Sequence, residues 1–344
     1  MSRLTQVELP WLYQQPSSSA RIRVEPEDFI VKEDLGYEPE GEGEHHYLYI
    51  RKRGENTDWV ARQLANFCQV SPRDVAYAGK KDRHALTEQW FSVHLPGSRR
   101  VLNWALFGGD SIQVLKASKH KRKIKLGNLR GNRFAIRLRE LTQQTEFASR
   151  LEHIKNGVPN YFGEQRFGQE GGNLVKGLQM LNGELDERQR VKRGLYISAV
   201  RSQLFNTVVA ARLNGSGLRA PLQGDVLIEP YTQKCEHWDR LSDSQTRRFE
   251  ANQSVLSAPL WGKGELYTQD EARIFEQSVL TPYQAVCDQL ASLGLRQERR
   301  AALLVPQRVA VHNEADGQWV IEFDLPSGCF ATSVLRELCS WSNL

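Results

Sequence analysis

The chain has 344 residues, enough for about two domains and for a core that needs neither disulfides nor a metal to hold it. Its 46 Lys and Arg against 41 Asp and Glu leave a formal charge of +5, with 25% charged and 40% hydrophobic residues. That is ordinary globular composition, and it excludes disordered, collagenous and coiled-coil chains. Five widely spaced cysteines (Cys68, Cys235, Cys287, Cys329 and Cys339) make no CxxC pair and no zinc-type Cys/His spacing, so free thiols in a reducing compartment are expected. Met1 to Trp11 lacks the apolar stretch of a signal peptide, and no window approaches the roughly 20 apolar residues that span a bilayer. The expected location is cytoplasmic, with no membrane association.

In chain order, Ile22–Val24, Phe29–Lys32 and His46–Arg51 read as antiparallel strands, broken by Pro26-Glu27-Asp28 and by the polar, glycine-bearing stretch from Glu38 to Glu44. Thr57 is a plausible N-cap, after which Val60, Leu64 and Phe67 recur at helical spacing. Ser71-Pro72 starts a short helical turn, and Gln89–Leu95 reads as a strand ending at Pro96-Gly97. From Ser111 to Arg139 there is no Asp or Glu, yet ten Lys or Arg occur. Inside that run Phe134, Ile136 and Leu138 alternate with Arg133, Arg137 and Arg139, the pattern of a strand with one buried and one basic face. A merely solvated charge run would mix signs, so this segment points to nucleic acid.

Asn156 to Asn173 interleaves five glycines with Tyr161, Phe162 and Phe167, a tight aromatic-packed turn region that carries no nucleotide-phosphate motif. Leu204–Leu213 and Phe275–Leu290 are helical patterns, the second broken near Pro282; Gly224 to Gly264 is turn-rich. Val309–Val311 and Trp319–Leu325 read as strands and Thr332–Leu338 as a closing helix. A second domain is expected at residues 156–306, inserted between chain ends whose strands pair.

The peptide Ala78-Gly79-Lys80-Lys81-Asp82-Arg83-His84 sets Asp82 among four potentially cationic side chains just before a strand. Neighbouring cations favour the charged carboxylate, which suits a nucleophile or base and not a general acid. A salt-bridged Asp in a basic loop is the plain alternative. His45 and His46, adjacent on a strand, point to opposite faces and cannot jointly bind a metal.

Gly79-Lys80-Lys81-Asp82 resembles the catalytic loop of the tRNA pseudouridine synthase D family. Glu25-Pro26-Glu27-Asp28-Phe29, Gly127–Phe134, Tyr161–Gly168 and Gly328–Glu337 resemble further blocks of that family, in order. The resemblance implies an α+β fold: a pseudouridine-synthase-type mixed, mostly antiparallel sheet with helices over residues 1–155 and 307–344, interrupted by an α/β insertion domain at 156–306. It implies isomerisation of a uridine in transfer RNA, position 13 in bacterial members, with no metal or organic cofactor and no obligate protein partner. Asp82 falls on the catalytic aspartate, Phe134 on the aromatic that stacks on the target base, Asn132 beside it, and Phe29 on another aromatic of the site. Arg23 stands where the family commonly has the lysine that pairs with the aspartate; a planar fork replaces a point cation there. Lys80, Lys81 and Arg83 are expected to meet RNA phosphates or brace the loop, at most one of them pairing with Asp82. Gln165 and Arg166 are expected at the domain junction, touching RNA. The alternative function is a non-catalytic RNA-binding or RNA-folding protein on the same scaffold. A metal-dependent nuclease is disfavoured, because no clustered carboxylates of the two-ion kind are present.

Overall fold

In a computed structural model of the chain, residues 4–97, 102–315 and 317–342 are described. They form two compact units: Pro16–Ser149 with Pro306–Cys329 and the chain from Cys339 onward, and, separately, the chain up to Gln15 with Arg150–Val305 and Phe330–Leu338. The segments leading to Gln15 and from Phe330 to Leu338 thus lie in the same unit as the expected insertion.

The first unit is built on a nine-stranded sheet. Its order is Gln307–Ala315, Gln318–Pro326, Gly131–Leu138, Phe29–Asp34, Leu86–His94, His45–Arg53, Ile112–His120 and Gly108–Gly109, with Val75–Tyr77 also pairing on Leu86–His94. Every pairing is antiparallel except Phe29–Asp34 beside Leu86–His94. Alternation explains the faces. Leu48 and Ile50 on one strand, with Phe91 and Val93 on the next, present apolar side chains to Val60, Leu64 and Ala65 of the Thr57–Cys68 helix. Tyr47, Trp90, Leu35 and Ile124 pack together in a separate cluster. Arg133 and Arg137 alternate with the buried Phe134, Ile136 and Leu138, as the alternation requires.

Several local expectations are corrected. Ile22–Val24 is not a strand; the short strand is Ser19–Arg21, paired in parallel with Ser340–Ser342, and the chain turns away because Arg23 sits at φ 57°, outside any strand conformation. Phe29–Asp34 and His45–Arg53 are not neighbours, since Leu86–His94 lies between them. The helix cap is Asn56 and Thr57 is the first helical residue. The chain ends do pair: Gln318–Pro326 lies on Gly131–Leu138, which lies on Phe29–Asp34.

The second unit centres on the 25-residue helix Arg190–Asn214, with the helix Gly172–Leu181 packed closely on it. Gly177 allows that approach, because a Cβ there would lie 2.4 Å from the Tyr196 carbonyl oxygen. A four-stranded antiparallel sheet, Cys235–His237, Val226–Ile228, Val255–Leu260 and Glu298–Ala301, belongs to the same unit. The segment 224–264 is therefore more regular than its turn-rich composition suggests. No helix among the described residues is long and apolar enough to cross a membrane.

Candidate active site

The loop from Ala78 to Ala85 leaves Val75–Tyr77 and returns as Leu86–His94. Asp82 lies in it, with its side chain 26% exposed. One carboxylate oxygen accepts the His84 N–H at 3.0 Å, a local Asx turn. The other accepts Arg23 Nη2 at 2.8 Å. Arg23 is thus the cation that meets Asp82, and none of Lys80, Lys81 and Arg83 does so. Burial pushes the Arg23 guanidinium below its ordinary value while Asp82 acts to raise it. Its Nε is buried without a hydrogen-bond partner among the described residues, and its Cζ stands 4.2 Å from the centre of the Phe29 ring. A left-handed arginine, partly desolvated and clamped between a carboxylate and an aromatic face, is a strained arrangement of the kind that gathers at functional sites.

Phe29 is held by the turn before it. In Pro26-Glu27-Asp28 the buried Asp28 carboxylate accepts the Glu25 N–H at 3.0 Å and pairs with Arg139 at 2.8 Å and Arg137 at 3.3 Å. Burial alone would raise the Asp28 carboxyl, but the Arg139 and Glu25 hydrogen bonds and the Arg139 charge hold it below its ordinary value. Phe29 then enters the sheet opposite Ile136 and meets Phe134 edge to face at 6.2 Å; Phe134 in turn lies 5.6 Å from Phe323. Asn132, two residues before Phe134, shares its face of the strand, and its Oδ1 is buried with no hydrogen-bond partner among the described residues. Asp82, Arg23, Phe29 and Phe134 therefore form one continuous chain of contacts, and Asn132 offers an unused acceptor from the strand that carries Phe134.

The other candidates fall elsewhere. Lys80 is exposed and pairs with Asp58 at 2.6 Å. Lys81 is turned inward, only 6% exposed, onto the buried Glu33 carboxylate, the loop-bracing one of its two expected roles. Arg83 donates to the Gly54 carbonyl at 3.3 Å. Gln165 and Arg166 belong to the second unit, where Arg166 donates to Ser198 Oγ at 3.3 Å and lies 5.2 Å from the Phe162 ring. Of the basic strand, Arg133 pairs with Glu322, Arg137 with Asp28 and Glu314, and Arg139 with Asp28 and Glu25, whereas Lys116, Lys119, Arg122 and Lys125 are exposed.

Three residues under the loop were not foreseen. Gln89 Nε2 donates to the Gly79 carbonyl at 3.1 Å, the Lys81 N–H donates to Thr57 Oγ1 at 3.0 Å, and Lys52 Nζ donates to the Asp82 carbonyl at 3.0 Å. Thr57 Oγ1 also donates to Gln89 Oε1 at 3.0 Å. The legible signal is phase: Lys52 continues the Leu48, Ile50 alternation, and Gln89 that of Val93 and Phe91, so polar groups occupy core-facing positions.

Comparison with known proteins decides the family. The profile described as tRNA pseudouridine synthase D matches residues 9–192 and 189–338. The chain belongs to the tRNA pseudouridine synthase D family. It is 46% identical to the protein of that name from Shewanella oneidensis, over 98% of this chain and 90% of the relative, and 43% identical to that from Pseudoalteromonas atlantica, over 95% of each. A crystal structure described as a tRNA pseudouridine synthase D from Methanosarcina mazei has the same fold, with a TM-score of 0.72 at 21% identity, covering 97% of this chain and 96% of that one. Membership makes the chain an isomerase of the tRNA pseudouridine synthase class, and the α+β, mostly antiparallel architecture is that of the family.

Proposed function

We propose that the chain converts a uridine of transfer RNA, expected at position 13, to pseudouridine in the cytoplasm, with Asp82 as the catalytic residue. The observation that carries this reading is the Arg23-paired Asp82 carboxylate joined, through Phe29, to the Phe134 ring. An enzyme that acts on a base within folded RNA takes it out of its stack, at about a few kcal/mol, and holds it on an aromatic face. Phe134 supplies that face, braced by Phe29 and Phe323 on either side. Asn132 Oδ1, buried and unused, accepts a hydrogen bond from the extruded base.

The reaction breaks the N1–C1′ bond, turns the uracil and joins C5 to C1′, while C5 gives up its proton to solvent and N1 takes one up, so that the product is an isomer of the substrate. It is redox-neutral and transfers no group between molecules, so its balance calls for no cofactor. The Asp82 carboxylate can attack C1′ or take a proton from the sugar on a glycal route; either needs an acceptor oxygen held against the nucleoside. Arg23 orients that oxygen and offsets its charge. The exposed Lys116, Lys119, Arg122 and Lys125 meet phosphates, an attraction that weakens with salt. Gln165 and Arg166 meet the RNA from the second unit. The 156–306 segment serves as the insertion, in one unit with the chain up to Gln15 and Phe330–Leu338, and the unit that holds Asp82 serves as the catalytic domain.

The test is carbodiimide-block primer extension on unmodified transfer RNA incubated with the wild type or Asp82→Asn, both in EDTA and at moderate salt. A single stop with the wild type alone supports the reading. RNA binding by both proteins with a stop from neither would favour a non-catalytic RNA-binding protein.

A further inference from the structure

We propose that Lys52 is a positioning residue of the reaction: from beneath the sheet-to-loop junction its ammonium holds the main chain of Asp82 and so sets where the carboxylate meets the nucleoside. The inference rests on the function proposed above. Lys52 is fully buried, which is rare for a lysine and costly unless the charge is paired or hydrogen-bonded. Its Nζ bridges two carbonyl oxygens, Glu55 at 2.8 Å and Asp82 at 3.0 Å. One belongs to the turn after its own strand and the other to the catalytic aspartate itself. Being enclosed, it cannot touch RNA, and its only reach toward the chemistry runs through the loop backbone.

The groups around it agree on that role. Across the sheet Lys52 faces Thr87 on one side and Ile112 on the other. The charged groups that act on it are Asp82 and Lys81 of the loop and Glu55 of the turn. From the Thr57–Cys68 helix, Thr57 holds the Lys81 N–H, and from the Leu86–His94 strand, Gln89 holds the Gly79 carbonyl. Three successive grips, on residues 79, 81 and 82, fix the loop from one side, while Arg23 fixes the carboxylate from the other. Of the three, only the Lys52 grip is charge-assisted and bears on Asp82 directly. Burial pushes the Lys52 ammonium down to about 8, with Asp82 and Glu55 raising it and Lys81 lowering it, so its charge is present below that pH and lost above it.

The experiment measures single-turnover pseudouridine formation at saturating enzyme, and RNA affinity separately, for wild type, Lys52→Met and Lys52→Arg from pH 6.5 to 9.5. A misplaced reacting group can lower rates by about a hundredfold, and that is the loss expected for K52M, with affinity within about threefold of wild type. K52R should recover at least about tenfold of the loss, because the cation is restored. The wild-type rate should decline through about pH 8, and in K52R that alkaline limb should move upward. A folded K52M that turns over within about threefold of wild type overturns the proposal, as does a limb that is absent or identical in K52R; the limb comparison decides the matter where K52M does not fold. A wild type that forms no pseudouridine would instead sink the functional reading, which is a different result from an active wild type matched by K52M.

Discussion

At the residue scale, the Asp82–Arg23 pair invites separate removal of its halves. Asp82→Asn keeps the shape and the Asx turn but removes the charge, so the rate should fall by about 10³-fold or more with RNA affinity nearly unchanged; rapid-quench turnover beside a filter-binding titration checks both. Arg23→Gln should lower turnover by about a hundredfold, whereas Arg23→Lys, which restores the residue type more common in the family, should stay within about tenfold of wild type. Phe134→Leu keeps most of the volume between Phe29 and Phe323 but removes the ring face. Stacking is worth about 1–3 kcal/mol per base, so kcat/KM should fall at least about tenfold. Equal kcat/KM for the leucine variant would remove Phe134 from the base pocket.

At the element scale, the strand Gly131–Leu138 carries Asn132 and Phe134 and is packed tightly against Gln318–Pro326. A Cβ on Gly131 would lie 2.2 Å from the Leu325 carbonyl oxygen. Gly131→Ala should therefore spread the two strands and lower stability by about 1–3 kcal/mol, read as a drop in the thermal midpoint together with slower turnover. The alternation of this strand was legible because a period of two needs no partner to be recognised. Phase marks Lys52 and Gln89 as polar groups at core-facing positions but does not give their partners, because what Lys52, Thr57 and Gln89 hold lies 30, 24 and 10 residues away, and local pattern reads Thr57 as an ordinary helix cap. Arg23 was legible as a cation of the site. That it sits in a left-handed turn, which ends the expected Ile22–Val24 strand, depends on contacts made in the finished fold.

At the scale of the molecule, a net charge of +5 understates the field available to a polyanion, since the acid-free run concentrates it. The expected basic face is nevertheless half spent on internal ion pairs. Lys116→Gln with Lys125→Gln should weaken transfer RNA binding and reduce the slope of log affinity against log salt by roughly one for each phosphate no longer neutralised, leaving saturated turnover intact. Arg137→Gln should instead loosen Asp28 and lower stability. The linkage at Lys52 runs the other way from its effect on rate. Its folded value lies below the unfolded one, so between about pH 8 and about 10.5 the unfolded chain binds more protons and stability rises with pH; denaturation midpoints for wild type should climb relative to K52M across that window. The five sequence blocks made the family legible along the whole chain, and Tyr161–Gly168 lies in the unit of the expected insertion; the Phe330–Glu337 part of the last block, expected with the strands of the chain ends, lies in that unit as well.

The measurement that bears most directly on Asp82 is tritium release from transfer RNA labelled at uracil C5, under single-turnover conditions, with wild type and Asp82→Asn at matched RNA occupancy. Forming the C5–C1′ bond must expel that hydrogen. The expected result is release of one equivalent per transfer RNA by the wild type and none above background by the variant; equal release by both would contradict the assignment of the chemistry to Asp82.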